Sequence, residues 1–264
     1  MTTDADPPDV LPGEGPGDDD EVLTIGEAMI HRDRVDLEAG MSPVPRATIA
    51  IILACAAVFA RQAMVGGLDD VERVVETGAL QRDAVLDGEW WRLVSGAFLH
   101  GDGVHLIGNM VMLYILGMAC EHAFGLGRYL FLYTAAGIAG NALAMAASDV
   151  PTVGASGAIF GLVGATIGMA FVRRRDLELR DARLGLVLAG WSAFMLITGL
   201  MTPFVSNSAH LGGLVAGLAL GAVLRPVILD PGRVSARPAV GRVLLALSLV
   251  VLAASFAAFL PHLQ

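Results

Sequence analysis

Seven apolar segments follow one another between residue 46 and the end of the chain, separated by more polar connections. Each is close to the ~20 residues that cross the hydrocarbon core of a bilayer as an α-helix. The pattern therefore predicts an all-α membrane protein. The segments are residues 46–64, 104–122, 128–147, 154–172, 184–201, 208–225 and 240–260.

The polar stretches indicate how the chain is divided. Residues 1–43 are rich in Asp, Glu, Pro and Gly, which is typical of a disordered acidic tail. We expect the first six apolar segments to form one core over residues 44–225. A linker over residues 226–239 then leads to one additional transmembrane helix within residues 240–264.

One connection, residues 65–103, is much longer than the others. It contains Trp91 and Arg92 directly after Glu89 and Trp90, and paired indole rings beside an arginine favour the membrane interface. We expect Trp91, Arg92 and, further along, His100 to support the structure of this loop.

The composition agrees with a membrane protein and excludes other classes. Hydrophobic residues make up 55% of the chain and charged residues 16%, against roughly 45–50% and about 25% in soluble domains. The net charge of -9 lies largely in the tail and the long loop, so we expect no nucleic-acid partner. Cys55 and Cys120 lie inside apolar segments, which predicts neither a disulfide nor a cysteine metal site.

The arginines predict the orientation in the membrane. With the N-terminus in the cytoplasm, only Arg61, Arg73, Arg82 and Arg92 of the 17 basic residues fall outside. This positive-inside bias puts the long loop on the outer face. The Ala- and Arg-rich composition without Lys is typical of bacteria with GC-rich DNA. We therefore expect the inner (plasma) membrane.

Two polar residues stand at the starts of apolar segments, Ser156 in residues 154–172 and His210 in residues 208–225. Burying a polar group in hydrocarbon is unfavourable in free energy, so such groups are usually hydrogen-bonded or serve a function. A serine within reach of a histidine is the minimal activated nucleophile, with the histidine as general base. No carboxylate in the apolar segments is placed to orient His210, so we expect a dyad. The alternative is a serine that eases helix packing and a histidine bonded to a backbone carbonyl.

Glycines at four-residue spacing predict that the two helices pack closely. Gly157 and Gly161 follow Ser156, while Gly213 and Gly217 follow His210. Small residues at this spacing allow transmembrane helices to approach one another. His210 lies on the Gly213 face, so contact between the two glycine faces would bring the imidazole and the hydroxyl together.

A third cluster begins the second apolar segment. His105 and Asn109 are four residues apart and share a helix face, where both can donate hydrogen bonds to a developing oxyanion. Hydrogen bonding between helices is the alternative. A zinc site at His100, Asp102 and His105 is not predicted, because the spacing is not His-Glu-x-x-His and a full ligand set is not evident. Glu121, at the cytoplasmic end of the same segment, is expected to make a structural hydrogen bond to a neighbouring helix.

These motifs together resemble the rhomboid family of intramembrane serine proteases. The resemblance covers about residues 44–225. The matching residues are, in order, Trp91-Arg92, His100, His105, Asn109, Gly117, Glu121, Gly154-x-Ser156-Gly157, Ala209-His210, Gly213 and Gly217. Phe160 departs from the family, which often has Tyr there, but its ring can still stack on the histidine.

The resemblance implies a rhomboid-like six-helix bundle with a water-filled cavity open to the outside, plus one extra C-terminal helix. It implies Ser156 as nucleophile, His210 as base and an acyl-enzyme intermediate. His105, Asn109 and the Ser156 backbone N–H would form the oxyanion hole. No metal or cofactor is implied. The expected substrates are single-span transmembrane proteins, cut near the outer face of the bilayer.

Two other functions are alternatives to a protease. A transporter or channel needs repeats, interrupted helices or charges along a pathway, and the sequence has none of these. A non-catalytic rhomboid-like binding protein is disfavoured because Ser156 and His210 are both present. The additional helix carries no residue expected to act in catalysis. Truncation after about residue 230 is therefore expected to retain some activity.

Overall fold

The computed structural model describes residues 35–178, 183–201, 205–229 and 238–263. The described part is helical apart from two very short strands, β1 (Val35–Asp36) and β2 (Leu177–Glu178), which pair in parallel. The helices are α1 (Arg46–Met64), α2 (Val71–Glu76), α3 (Arg82–Leu86), α4 (Arg92–Ser95), α5 (Gly103–Ala147), α6 (Ser156–Val172), α7 (Leu184–Gly199), α8 (Asn207–Val223) and α9 (Pro238–Phe259). Short 3-10 turns follow at Val227–Leu229 and Leu260–Leu263.

The predicted fold class, an all-α membrane protein, is confirmed. Within the described residues, four helical stretches are long and apolar enough to cross a membrane: Arg46–Met64, Gly103–Ala147, Asn207–Leu229 and Ala239–Leu263. Two more apolar helices, α6 and α7, are shorter. The 17 residues of α6 extend about 26 Å, slightly less than the ~30 Å hydrocarbon core. Because most of its residues are buried, α6 packs against protein on nearly all sides.

Helix α5 contains two of the predicted segments. It is continuous over 45 residues except at Gly125, whose φ of 70° and ψ of 163° lie outside the helical region. A glycine has no Cβ and adopts this conformation at little cost, so the helix is kinked there. The predicted segments 104–122 and 128–147 form the two arms of α5.

The glycine faces of α6 and α8 lie against each other. A Cβ at Gly213 would fall on the carbonyl oxygen of Gly157, and one at Gly217 would fall on the carbonyl oxygen of Gly161. The two backbones are therefore in direct contact. Only glycine fits at these positions, and this contact brings the first turns of α6 and α8 together.

The start of α1 is held by a carboxylate from α5. Glu121 accepts hydrogen bonds from the backbone N–H of Ala47 at 3.0 Å and of Thr48 at 2.9 Å, and also from the Thr48 hydroxyl at 2.9 Å. The residue before the helix, Pro45, offers no side-chain cap. Glu121 thus satisfies N–H groups that a helix start leaves without partners, and its negative charge suits that end of the helix.

We predict that Glu121→Ala destabilises the protein without acting on the site chemistry. Removing the carboxylate leaves the first-turn N–H groups of α1 unpaired, which costs about 3 kcal/mol of unfolding free energy. Thermal unfolding in detergent should show a clear fall in melting temperature. Glu121→Gln keeps one carbonyl acceptor and should lose less. An alanine variant as stable as the wild type would contradict this role.

The additional helix, α9, is integrated with the rest of the fold. Near its start, a Cβ at Gly127 of α5 would fall on the Gly241 carbonyl oxygen, so the two backbones touch. At its other end, Phe259 and Leu263 are buried. The sequence predicts α9 as an addition to a six-helix core, and in the structure both ends of this added helix are packed against that core.

The segment that precedes α1 also differs from expectation. Residues 1–43 are predicted to be a disordered tail, yet residues 35–43 are folded, with β1 paired to β2 and Leu37 buried. The apolar side chain of Leu37 drives this packing. Residues 1–34 lie outside the described residues. Of the predicted linker 226–239, Val227–Leu229 forms a turn against Gly125, and residues 230–237 lie outside the described residues.

Candidate active site

The structure brings Ser156 and His210 into direct contact. The Oγ atom of Ser156 lies 2.8 Å from Nε2 of His210. Each residue sits in the first turn of its helix, and the glycine contacts between α6 and α8 set the distance. His210 is buried, so its imidazole is shielded from competing solvent. Nε2 is positioned to accept the hydroxyl proton.

One aromatic ring stacks on the imidazole of His210, and a second aromatic ring stacks on the first. Phe160, one turn after Ser156, stacks on His210 with ring centroids 4.3 Å apart and an interplanar angle of 10°. Trp191 of α7 stacks on Phe160, with ring centroids 5.6 Å apart. The sequence singles out Phe160 but not Trp191, because a lone Trp in an apolar helix carries no sign of its partner.

The other imidazole nitrogen of His210 is free. Its Nδ1 is buried and has no hydrogen-bond partner within the part of the chain that the structure describes. A triad would place a carboxylate at this atom to orient the ring. Here the stacked rings do the orienting, and the geometry is that of a Ser–His pair.

Gly154 sets the chain path into α6. Its φ of 121° is a backbone conformation that glycine adopts without strain and that other residues rarely adopt. The residue at the helix start, Ala155, offers no side-chain acceptor to the first N–H groups of α6. These N–H groups, with that of Ser156 among them, are available to a negatively charged oxygen.

His105 and Asn109 lie beside Gly154. A Cβ at Gly154 would come within 2.7 Å of the His105 ring nitrogen Nε2 and within 3.4 Å of the Asn109 amide nitrogen. The Asn109 amide is buried and, among the described atoms, has no hydrogen-bond partner. A buried donor without a partner is costly, which favours a group kept for a bound oxygen. The structure thus gathers both predicted donors at the entry to α6.

His100 lies behind this cluster. It is fully buried, its ring meets that of His105 edge-on with centroids 5.2 Å apart, and its backbone N–H points to the Gln62 side chain. Burial lowers the pKa of His100 to about 4, so the ring is neutral at pH 7. Asp102 instead caps α5 by accepting from the His105 backbone N–H at 2.8 Å. Within the described residues, no group of three His, Cys, Asp or Glu side chains is arranged to hold a metal ion.

Arg92 connects several parts of the long loop, residues 65–103, through hydrogen bonds and an ion pair. Its guanidinium donates to the carbonyl oxygens of Val75 and Ala79, both at 2.7 Å, and pairs with Glu89. It also lies over the ring of Trp91, 4.8 Å from the centroid. Trp91 and Arg92 are buried, whereas Trp90 is about half exposed. Arg92 therefore joins α4 to α2 and to the chain on either side of α3, with Trp91 facing the protein.

The loop in turn contacts the entry to α6 through its backbone. Leu80 and Thr152 exchange two hydrogen bonds of 3.0 and 2.9 Å, and the Gly154 N–H donates to the Gly96 carbonyl at 2.8 Å. Asn141 of α5 donates to the Leu93 carbonyl at 2.9 Å. Sequence reasoning does not find Leu80, Gly96 or Thr152, because backbone hydrogen bonds leave no side-chain signature.

Comparison with known proteins identifies this arrangement. The rhomboid domain model matches residues 87–227. Rhomboid protease GluP of Bacillus subtilis is 36% identical over 159 residues, covering 60% of this chain and 31% of that protein. RHOMBOID-like protein 5 of Arabidopsis thaliana is 40% identical over 151 residues, covering 56% and 48%. Rhomboid protease AarA of Providencia stuartii is 31% identical over 202 residues, covering 64% and 69%.

The chain spans less than half the length of the first two of these relatives and about two thirds of the third. The matched region nevertheless contains the whole cluster, from His105 and Asn109 through Ser156 to His210. Since the rhomboid domain covers more than half of the 264 residues and the helices around it are apolar, the chain belongs to the rhomboid family and is a multi-pass membrane protein.

Proposed function

We propose that this protein is a serine endopeptidase that cleaves peptide bonds of transmembrane proteins within the membrane. The observation that carries the proposal is the 2.8 Å contact between Ser156 Oγ and His210 Nε2 at the start of two packed helices. The relatives GluP and AarA are named as rhomboid proteases, which supports the same activity.

In the first half of the reaction, His210 Nε2 takes the Ser156 proton while Oγ attacks the carbonyl carbon of the scissile bond. The carbonyl oxygen becomes an oxyanion, which the Ser156 backbone N–H, the Asn109 amide and the His105 ring stabilise. The intermediate collapses as the carbon–nitrogen bond breaks. His210 gives its proton to the leaving amine, and Ser156 is left as an acyl ester.

In the second half, a water molecule attacks the ester. His210 takes a proton from the water, and the same donors hold the second oxyanion. The ester bond to Ser156 then breaks, the serine regains its proton from His210, and the new carboxyl end leaves. No metal or cofactor takes part in this scheme. The stacking of Phe160 on His210 keeps the imidazole aligned through both halves of the reaction.

The substrates we propose are single-span membrane proteins, cut near the outer face of the plasma membrane. A nucleophile at the start of a helix shorter than the bilayer core reaches a bond just below one membrane surface. The distribution of arginines supports an outer position for this end of the bundle. Local unwinding of a substrate helix would expose the bond to Ser156.

The orientation gives a separate prediction. An N-terminus in the cytoplasm followed by seven crossings leaves the C-terminus outside. Alkaline phosphatase, which folds only outside the cytoplasm, should be active when fused after residue 264 and inactive when fused near Arg233. The opposite result for either fusion would contradict the proposed topology.

Cleavage itself is tested with the purified full-length chain in proteoliposomes. A single-span substrate carries a fluorophore and a quencher on either side of the outer end of its helix. We expect fluorescence to rise with turnover and mass spectrometry to find one cut near that end. Intact substrate after prolonged incubation with a panel of such helices, under conditions where the protein is folded, would contradict the proposal.

A further inference from the structure

The end of α9 is packed into the long loop of residues 65–103. Phe259 is fully buried, and its ring lies 5.9 Å from that of Trp91. His262, in the turn that follows α9, lies against Trp91 with ring centroids 4.7 Å apart and an interplanar angle of 35°. One turn earlier, Phe256 meets Phe98 edge-on at 4.9 Å. The loop side of this contact is thus formed by residues on both sides of α4.

The packing of α9 on the loop is close, and a hydrogen bond beyond the end of α9 holds it in place. A Cβ at Gly78 would lie 2.7 Å from the Phe259 ring, so the loop backbone itself rests on the aromatic side chain. The carbonyl oxygen of Gly78 accepts from the Ser95 hydroxyl at 2.8 Å. Beyond α9, the Leu263 carbonyl accepts from Arg61 at 2.7 Å, which ties the end of the chain to α1.

A short chain of contacts leads from Phe259 to the catalytic serine. Trp91 is next to Arg92, which joins the loop through the carbonyl oxygens of Val75 and Ala79. Four residues after Arg92, the Gly96 carbonyl accepts the Gly154 N–H at 2.8 Å. Gly154 lies against His105 and Asn109 and precedes Ser156 by two residues.

From this geometry we propose that the end of α9, through Phe259 and His262, positions the loop and thereby the Gly154 peptide that shapes the oxyanion hole. Phe259 and His262 touch none of the reacting groups. They are positioning residues that act through Trp91, Gly96 and Gly154. The inference rests on the proposed protease function and assigns α9 a part in it.

The position of the contacts separates this role from simple anchoring of the helix. The start of α9 is held against α5 by the backbone contact of Gly241 with Gly127. The aromatic contacts all lie at the other end, on the loop. Loss of the aromatic side chains should therefore release the loop while α9 stays in the bundle.

The test is the kinetics of Phe259→Ala in the full-length protein. We expect kcat to fall about 10-fold and KM to stay within about twofold, since misplacement of a reacting group by ~1 Å costs up to ~10²-fold. Phe259→Leu should recover part of the loss. Val250→Ala, on the exposed side of α9, is the matched control and should behave as the wild type. Trp91→Ala combined with Phe259→Ala should be no worse than Trp91→Ala alone, because both act on one contact.

A second readout does not depend on activity. Hydrogen exchange of the peptide containing Gly154 should be faster in Phe259→Ala than in Val250→Ala, while peptides of α6 beyond its first turn are unchanged. A kcat equal to that of the control with unchanged exchange would overturn the proposal. So would a loss of turnover that only follows a loss of folded protein. Absence of Ser156-dependent cleavage in the wild type would instead refute the protease function, and the exchange result would still decide the coupling.

Discussion

Substituting Ser156 by alanine is expected to abolish cleavage of transmembrane substrates, with a loss on the order of 10⁶-fold in kcat. The substitution removes the nucleophile that contacts His210, and within the described residues no other hydroxyl or thiol is shown to replace it in forming an acyl-enzyme. His210→Ala should lose as much, because the serine hydroxyl is then left without a base 2.8 Å away. The double variant should be no worse than either single one, since the two residues act as a unit.

Both variants should remain folded and inserted, because neither substitution opens a large cavity or leaves a buried charge. Ser192→Ala is the matched control: this buried serine of α7 donates to the Leu188 carbonyl of its own helix at 2.8 Å. It should cleave substrate at close to the wild-type rate. Turnover measured in proteoliposomes, with thermal unfolding of each variant, separates chemistry from folding. Substantial activity in purified Ser156→Ala would refute the mechanism.

Removing the oxyanion donors should give the next largest effect. Asn109→Ala is expected to lower kcat by ~10²–10³-fold, about 2.7–4 kcal/mol of transition-state stabilisation, with little change in KM. His105→Ala should lower kcat in the same direction. The fall in kcat for either single variant is smaller if the remaining donor and the Ser156 N–H still stabilise the oxyanion. The double variant then shows the full fall in kcat.

The measurement is kcat and KM for Asn109→Ala, His105→Ala and the double variant on one transmembrane substrate. His122→Ala, a histidine of the same helix near its Gly125 bend, is the control and should leave turnover unchanged. Labelling of Ser156 should persist in the single variants, since the dyad still activates the hydroxyl. If all three variants match the wild type in kcat, His105 and Asn109 serve helix packing only.

The parts of the fold that the sequence predicts are those with a strong physical signal. Apolar runs of bilayer length give α1, the two arms of α5, α8 and α9 almost to the residue. Ser156 and His210 are visible because a polar side chain inside such a run is costly and needs a reason. The glycine spacing after each of them indicates which faces can approach.

The features of the fold and the site that the sequence does not predict depend on contacts between distant segments. The stacking of Trp191 on Phe160 and the hydrogen bond from Gly154 to Gly96 join elements whose sequences carry no mark of each other. Phe259 illustrates the same limit. An aromatic residue at the end of a transmembrane helix is expected at the membrane interface, and only the fold shows that it is buried against Trp91. The sequence predicts no part for α9 in the site, because the helix carries no residue assigned to the chemistry, whereas in the structure its end is part of the loop packing.

The measurement that tests the central claim most directly is covalent labelling of the wild-type protein with a fluorophosphonate, followed by peptide mapping. The probe reacts only with a serine hydroxyl that a neighbouring base activates, so it reports the dyad without any choice of substrate. We predict one labelled residue, Ser156, with labelling lost in His210→Ala and kept in Ser192→Ala. A folded wild-type protein that is not labelled at Ser156, or is labelled equally well without His210, would contradict the account.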